Sequence, residues 1–283
     1  MEEQKKIETE SHFFEQIPSS AANVPIKRKI DSTSLGVRNA MNELVRIGKI
    51  LDAFRYTDTQ TGLAVTSLSQ EEMSKDEVAE RGIFFSSPPK NGSKVTMKVV
   101  DKAGKEVGTF VKLILVGADG CIIVEDDTSI LNVQGTGFGT RFQEYVENGY
   151  RAAGVSAIVR GCGLSIGRYE GAKFGYDFSR ESQRNDFREA FIAFMREKGV
   201  YEVSFEGKML SLESLRSLLR TPTDYLRVTA DRNIAYVLDG SESTLPPDQV
   251  GKAFFLDQES EAKRRLDPEN EYRGKWLGIK RLA

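Results

Sequence analysis

Three β-type segments lie close together in the middle of the sequence. They are "VTMKVVD" (95–101), "EVGTFVKLILV" (106–116) and "CIIVED" (121–126). Only "KAGK" and "GADG" separate them, and short connections with glycine are typical of β-hairpins. The pattern predicts a three-stranded antiparallel meander. The segment that follows residue 126 is therefore preceded by hairpins and not by a parallel βαβ unit.

The segment directly after the meander, "NVQGTGFGTRF" (132–142), contains three glycines in five positions and leads into an amphipathic helix. Apolar or small residues recur there at helical spacing. They are Phe142, Tyr145, Val146, Gly149, Tyr150 and Ala153, and Gly154 follows at a typical helix end. The first turn of a helix has N–H groups without intrahelical acceptors and the positive end of the helix dipole. Glycines at this point allow a phosphate to approach the backbone.

Two common phosphate-binding motifs do not fit this loop. The Rossmann pattern GxGxxG needs a third glycine at 142, which is phenylalanine, and the P-loop pattern needs a lysine after the last glycine. The pattern Q-x-x-G-x-G does fit, with Gln134, Gly137 and Gly139. Thr140 is a candidate cap or hydroxyl donor, and Arg141 is a candidate positive charge. A plain β-to-α turn is the alternative interpretation.

Weaker patterns assign the remaining segments. Toward the N-terminus they predict a poorly ordered tail (1–23), an edge strand (24–30), a helix to about Phe54, a polar helix (70–80) and a loop (86–93). After the glycine loop they predict a buried strand (155–161), a short helix or turn (167–178) and helices near 187–195, 211–220 and 221–224. The segment "YRGKWLGIKRL" (272–282) is a candidate strand that covers the core or docks on the N-terminal half.

Four of these segments, in this order, resemble the GCN5-related N-acetyltransferases, the GNAT superfamily. They are "QGTGFGTRF", "QEYVENGYRAAG", "VSAIVRG" and "GRYEGAKFGYDF", and the last resembles a bacterial GNAT-like group with a GxYxxAxxG[FY]D segment. The resemblance is tight over 121–178 and loose over 24–120. It implies an α/β (α+β) fold, with a GNAT-like mixed sheet and antiparallel meander over 24–180. A mainly helical C-terminal extension would then occupy 181–283.

The resemblance also implies an N-acyltransferase that uses acetyl-CoA as cosubstrate. The implied cofactor-binding residues are Val133, Gln134, Gly135, Gly137, Phe138, Gly139, Thr140 and Arg141. Transfer to an amine requires a polarised carbonyl, a base for the ammonium proton and an acid for the thiolate. Glu125, Asp126 and Asp127 are the candidate bases, directly or through water, and a solvated acidic turn is the alternative. The family's usual acid tyrosine is replaced by Gly171, so Tyr169 is the candidate acid.

Charge and residue usage argue against several other function classes. With 40 Lys and Arg against 42 Asp and Glu, no overall field attracts nucleic acid, and tRNA is the one such partner left open. The single histidine, His12, lies in the predicted tail, which disfavours Ser-His-Asp or Cys-His catalysis. Cys121 and Cys162 suggest neither a zinc site nor a disulfide framework. No segment approaches the ~20 apolar residues of a membrane span, and we expect a cytoplasmic protein. The cysteine and histidine usage leads us to expect no bound metal.

The acceptor is left open by the sequence. It could be a protein amino group, a polyamine, an antibiotic or an aminoacyl-tRNA. The alternative function is a GNAT-like module without transferase activity that binds CoA or a protein partner. A phosphate-binding domain of another fold would require the meander to be absent.

Overall fold

The computed structural model describes residues 35–82, 85, 89–133, 135–162, 165–257 and 276–282. The chain divides into two compact units, Met1–Asn42 and Glu43–Ala283. Of the first unit, the structure describes the start of helix α1 (Leu35–Ala53), which confirms the helix predicted to end near Phe54. The predicted tail (1–23) and edge strand (24–30) lie outside the described residues. The features below belong to the second unit.

The second unit contains a seven-stranded mixed sheet and the helices that pack on it. Its first elements are β1 (Ala64–Glu72), α2 (Lys75–Glu80), β2 (Pro89–Val100), β3 (Glu106–Gly117), β4 (Ile122–Leu131), α3 (Phe138–Ala152), β5 (Ala157–Cys162), α4 (Ser165–Lys173) and β6 (Asp177–Phe178). A last strand, β12 (Trp276–Arg281), comes from the other end of the chain. The strand order is β1-β2-β3-β4-β5-β12-β6.

The meander has four strands, one more than the sequence predicts. β1 pairs antiparallel with β2 up to Glu72, which lies opposite Ser93. The predicted helix over 70–80 is therefore wrong in its first part, and α2 begins only after the capping box of Ser74 and Glu77. Residues 89–93, predicted as a loop, are the start of β2. The polar composition of this sheet edge hides the strand pattern, because both faces of β1 carry hydrophilic side chains.

The sheet changes from antiparallel to parallel pairing between β4 and β5. The two strands pair from Ile123, opposite Ala157, as far as Asp126, opposite Arg160. Beyond that point β4 continues along β3 alone, after a bulge at Asp127. The carboxyl ends of β4 and β5 therefore separate. The three acidic residues that the sequence places at the end of a strand lie inside β4 instead.

Helix α3 is the predicted amphipathic helix. Its residues Phe142, Val146 and Tyr150 are buried in the main core. Gly149 faces α1, and a Cβ there would lie 2.2 Å from the Cβ of Ala53. Because glycine has no side chain, α3 can pack directly against the last residue of α1 at this point.

Residues 179–257 form helices and two small sheets. The elements are α5 (Glu181–Glu197), β7 (Glu202–Phe205), β8 (Lys208–Ser211), α6 (Leu212–Arg216), α7 (Pro222–Tyr225), β9 (Val228–Thr229), β10 (Ile234–Leu238), β11 (Ser241–Leu245) and α8 (Val250–Leu256). β8, β7 and β9 form one sheet, and β10 pairs with β11. The predicted helices are present, together with strands that the sequence did not indicate. Strands of two to five residues are too short to show a periodic pattern.

The last described residues return to the large sheet. β12 lies antiparallel between β5 and β6, with Trp276 opposite Cys162 and Gly278 opposite Phe178. Of the two alternatives for this segment, the structure therefore shows a strand of the core sheet. Residues 179–275 are therefore inserted in the chain between two strands of the large sheet. The sequence-based prediction placed all residues from 181 onward in one C-terminal extension.

Candidate active site

The loop between β4 and α3 turns on two glycines with positive φ. Gly135 and Gly137 both have φ of 71°, a conformation that side chains other than glycine rarely adopt. Phe138, the first residue of α3, is fully buried, and Val133 packs against the same core. These two predicted cofactor residues therefore anchor the loop through apolar contacts. Gln134, also predicted, lies outside the described residues.

The start of α3 presents backbone donors. The N–H of Arg141 donates the first helical bond, to the carbonyl of Gly137 at 3.1 Å, and the N–H of Phe138 contacts the hydroxyl of Thr136 at 3.4 Å. The N–H groups of Gly139 and Thr140 lie between these two and precede the helical ladder. They are the donors that an anion would meet at this helix terminus.

Gly139 differs from Gly135 and Gly137 because nothing in the structure requires a glycine at this position. Its φ is not positive, and a Cβ added there would meet no atom within 4 Å. Neither backbone conformation nor packing therefore demands glycine, although glycine lowers helix stability by about 1 kcal/mol relative to alanine. The absence of a side chain leaves the first turn of α3 open to a ligand.

The guanidinium of Arg141 forms an ion pair with the carboxylate of Asp58. Its Nε and Nη2 lie 3.0 and 2.7 Å from the two carboxylate oxygens of Asp58, and Nη2 also donates to the carbonyl of Thr136 at 2.9 Å. The Arg141 guanidinium holds the pKa of Asp58 well below its usual range. The positive charge predicted for phosphate binding is thus balanced. Arg141 fixes the shape of the loop, and the backbone and helix dipole are left to attract an anion.

Glu125 and Asp127 share one arginine on one face of the sheet. Nη1 of Arg81 binds Oε1 of Glu125, and Nη2 lies 3.8 Å from Oδ1 of Asp127. The second oxygen of Glu125, Oε2, is buried and has no hydrogen-bond partner among the described residues. Burial raises the pKa of Glu125, and the neighbouring carboxylates raise it further against the effect of Arg81. A carboxyl group with a raised pKa and one unoccupied oxygen is suited to proton transfer.

Asp126 points to the opposite face, as strand alternation requires. It forms an ion pair with Lys112, and both side chains are only 2% exposed. Its other oxygen accepts a bond from the Tyr176 hydroxyl at 3.3 Å, and that hydroxyl accepts one from Gln143 at 3.3 Å. Sequence reasoning missed this cluster, although a lysine inside the apolar run "FVKLILV" is a signal for a buried partner.

Tyr169 lies on α4 and packs, partly buried, against the main core. The ammonium of Lys252, on α8, lies 5.6 Å from its ring centroid. Gly171 packs tightly, since a Cβ there would come 2.4 Å from Sγ of Cys162 and 3.0 Å from Trp276. The structure therefore leaves no room for a tyrosine at 171. Burial also raises the pKa of Cys162 to about 12, which makes that thiol a poor nucleophile.

The described ranges contain no group of His, Cys, Asp and Glu side chains that could hold a metal ion. Within the same ranges, no helix is long and apolar enough to cross a bilayer.

The order of elements agrees with the resemblance in the sequence. An antiparallel meander leads through a glycine loop to a helix, and the next strand lies parallel to the last strand of the meander. The chain has a GNAT-like fold.

Neither a protein-family model nor a curated protein sequence matches the chain. Three solved structures are similar over about half of it. One is the GCN5-related glucosamine N-acetyltransferase region of a fungal multi-domain GH3 β-N-acetylglucosaminidase, with 14% identity and a TM-score of 0.25 over 50% of this chain and 21% of that chain. Another is a GNAT family acetyltransferase from Elizabethkingia anophelis with acetyl-CoA bound, with 13% identity and a TM-score of 0.25 over 51% of this chain and 92% of that chain. The third is an IAA acetyltransferase from Bacillus cereus, with 17% identity and a TM-score of 0.24 over 51% of this chain and 94% of that chain. The chain thus spans about a fifth of the first of these proteins. At these identities and TM-scores the likenesses assign neither an acceptor nor a site residue.

Proposed function

We propose that the chain is an acetyl-CoA-dependent N-acyltransferase that transfers an acetyl group to an amine. The observation that carries the proposal is the open first turn of α3, where Gly139 is demanded by neither φ nor packing. This turn lies just beyond the carboxyl end of β4, which has separated from β5. Ligands of open α/β sheets commonly bind at such strand ends.

In this proposal the pyrophosphate of CoA binds the N–H groups of Gly139 and Thr140. The positive end of the α3 dipole supplies the attraction, because Asp58 already neutralises Arg141. The acyl arm of the cofactor then extends into the separation between β4 and β5. Residues 127–131 of β4 pair with β3 only, so their other edge has backbone N–H groups to polarise the thioester carbonyl.

Glu125 is the proposed base for the acceptor amine, and Asp127 assists through the shared Arg81. The amine attacks the thioester carbonyl, the new amide bond forms, and the C–S bond breaks. Glu125 takes the proton from the nitrogen directly or through water. Tyr169 is the proposed donor of a proton to the departing thiolate. An acceptor that reaches Glu125 is a primary or secondary amine, and its remaining structure stays open.

A second candidate function is a module that binds CoA or a protein partner without transferring the acetyl group. Gly171 favours it, because the packing of Cys162 and Trp276 excludes a tyrosine there. The two functions are separated by measuring CoA release from acetyl-CoA with a panel of amines. Steady release with any amine supports the enzyme. The binding module is supported if acetyl-CoA binds but no CoA is released with protein amines, polyamines or aminoacyl-tRNA as the acceptor.

Replacement of Gly139 tests the cofactor site. In Gly139→Leu the side chain fills the open space, so we expect loss of the thermal shift caused by acetyl-CoA. The free protein should melt at the wild-type temperature or higher, because leucine favours the helix more than glycine. Gly48→Leu is the matched control, since Gly48 is also helical with no atom within 4 Å of an added Cβ. A wild-type response of Gly139→Leu to acetyl-CoA would show that the loop is only a turn.

A further inference from the structure

The arginines that the structure describes between β6 and β12 fall into two groups. Four have a carboxylate partner: Arg196 with Glu213 (3.8 Å), Arg216 with Glu189 (2.8 Å), Arg227 with Glu206 (3.3 Å) and Arg232 with Asp231 (2.8 Å). The other four are Arg180, Arg184, Arg188 and Arg220, and none has a carboxylate oxygen within 4.0 Å in the part of the chain that the structure describes. The second group therefore carries uncompensated positive charge.

Two arginines of this second group lie on one face of α5, and a third is its N-cap residue. Arg184 and Arg188 are four residues apart, which places them about 6 Å apart along the helix axis, and Arg180 precedes the first turn. Nε of Arg188 donates to the carbonyl of Leu219 at 3.3 Å, which brings α5 beside Arg220. We call these four residues the α5 arginine strip.

Two buried donors beside the strip lack acceptors. Nε of Arg184 and the hydroxyl of Tyr225 have no hydrogen-bond partner among the described residues, and Tyr225 is 0% exposed. The Tyr225 ring is held in place by Phe191, 5.1 Å away between centroids. Burial raises the pKa of the Tyr225 phenol, and the positive charges of Arg188 and Arg184 act against that rise. The hydroxyl therefore lies within the field of both guanidinium groups.

The carboxylates of Asp224 and Glu189, which also raise the pKa of Tyr225, already have partners within the chain. Asp224 accepts the backbone N–H groups of Arg220 and Thr221 at 2.9 and 2.7 Å, which caps α7. Glu189 binds Arg216. Since an unsatisfied buried donor is unfavourable, the unpaired groups of Arg184 and Tyr225 call for an acceptor from outside the chain.

We propose that the α5 arginine strip is a binding site for a phosphate group, with Arg184 and Tyr225 as its deepest contacts. A phosphate offers several acceptor oxygens at once, and the planar guanidinium matches their geometry. Arg180, Arg188 and Arg220 surround it at the surface. The site is separate in sequence from the glycine loop, so its binding of a phosphate can be measured apart from acetyl transfer. The source of that phosphate rests on the proposed function: it belongs either to the ribose end of CoA or to the acceptor.

Titration with inorganic pyrophosphate by calorimetry tests the site. The full chain carrying Gly139→Leu serves as the starting protein, so that the glycine loop does not contribute. Adding Arg184→Gln and Arg188→Gln together should weaken binding by about tenfold or more, since charge-assisted bonds are lost. Arg196→Gln on the same helix is the control, because its charge is paired with Glu213. Equal binding by all these proteins, or none by the starting protein, overturns the proposal.

Tyr225→Phe separates a ligand contact from a structural role. We expect pyrophosphate binding to weaken by about fivefold through the loss of one neutral donor. The melting temperature of the unliganded protein should stay constant or rise, because the variant removes an unsatisfied buried group. A lower melting temperature with unchanged pyrophosphate affinity would show that the hydroxyl serves packing or a water molecule only, and would remove Tyr225 from the site.

Comparison of CoA with dephospho-CoA identifies the source of the phosphate. If the strip binds the ribose phosphate of the cofactor, CoA binds more tightly than dephospho-CoA to the wild-type chain, and Arg184→Gln removes the difference. If the two bind equally while pyrophosphate still binds the strip, the phosphate belongs to the acceptor. A difference that persists in Arg184→Gln, together with unchanged pyrophosphate binding, contradicts the site.

Discussion

Glu125 and Asp126 are neighbours on β4 whose side chains lie on opposite faces of the sheet and have opposite surroundings. Asp126 has a partner on each oxygen, an ammonium and a phenol, within a fully buried cluster. Glu125 has one oxygen on Arg81 and the other without a partner among the described residues. A fully satisfied carboxylate contributes to structure, whereas a buried one with an open oxygen is available for proton transfer. Adjacent acidic residues can thus have separate roles because strand alternation gives them separate environments.

The largest effect is expected for Asp126→Ala. The change removes the partner of a buried ammonium and leaves Lys112 uncompensated, so the free energy of unfolding should fall by ~3–5 kcal/mol. Urea unfolding followed by circular dichroism measures it. A loss below about 1 kcal/mol would mean that the Lys112 side chain finds water or another acceptor, and would weaken the structural role given to Asp126.

The double variant Lys112→Met with Asp126→Leu is the control for that loss. It replaces the pair with apolar side chains of similar size, and such replacements are often neutral or stabilising. Recovery of stability in the double variant would show that the loss in Asp126→Ala comes from the unpaired ammonium and not from disturbed strand packing.

Glu125→Gln tests the other half of the comparison. Without a base, turnover of acetyl-CoA with an accepting amine should fall by about 10²–10⁴-fold, with an unchanged KM for acetyl-CoA. Steady-state release of CoA measures both constants. Asp127→Asn is the matched control on the same face, and because Asp127 is more exposed we expect only a small change. Equal losses in the two variants would assign the effect to the shared Arg81 contact instead of to the base.

The smallest effect is on the pH dependence of stability. The folded-state pKa of Glu125 is raised, so the folded protein holds this proton more tightly than the unfolded chain does. The resulting stabilisation is fully present below the ordinary carboxyl pKa and is lost as the pH rises through the folded-state pKa. The unfolding free energy of the wild type, relative to Glu125→Gln, should therefore decrease as the pH rises above the ordinary carboxyl pKa of about 4.3. A constant difference over this range would show that the side chain ionises normally.

The local features of the fold were readable from the sequence. The period of α3 and the buried residues of β5 depend on neighbours within a few positions. The same holds for α7, where Thr221 and Asp224 form a capping box after the predicted Thr-Pro start. Such signals act over one turn of helix or one hairpin, which is the range that a single sequence shows.

The features that the sequence missed depend on distant partners. Asp58 binds Arg141 across 83 positions, and nothing near either residue indicates the other. The strand β4 runs past its acidic residues because β3 pairs with it to Leu131, although "EDDTS" alone has the composition of a turn. In the same way β1 is a strand only because β2 lies beside it. Tertiary pairing decides these segments against their local preference.

The position of β12 has a consequence for biosynthesis. β5 ends at residue 162 and its antiparallel partner begins at 276, so the pairing has high contact order and must wait until the intervening residues have been synthesised. Until then one edge of β5 has unpaired N–H and C=O groups, a template for association with other chains. A nascent or truncated chain that stops within 179–275 should therefore be prone to aggregation, and the six residues of β12 act as the closing segment that protects it.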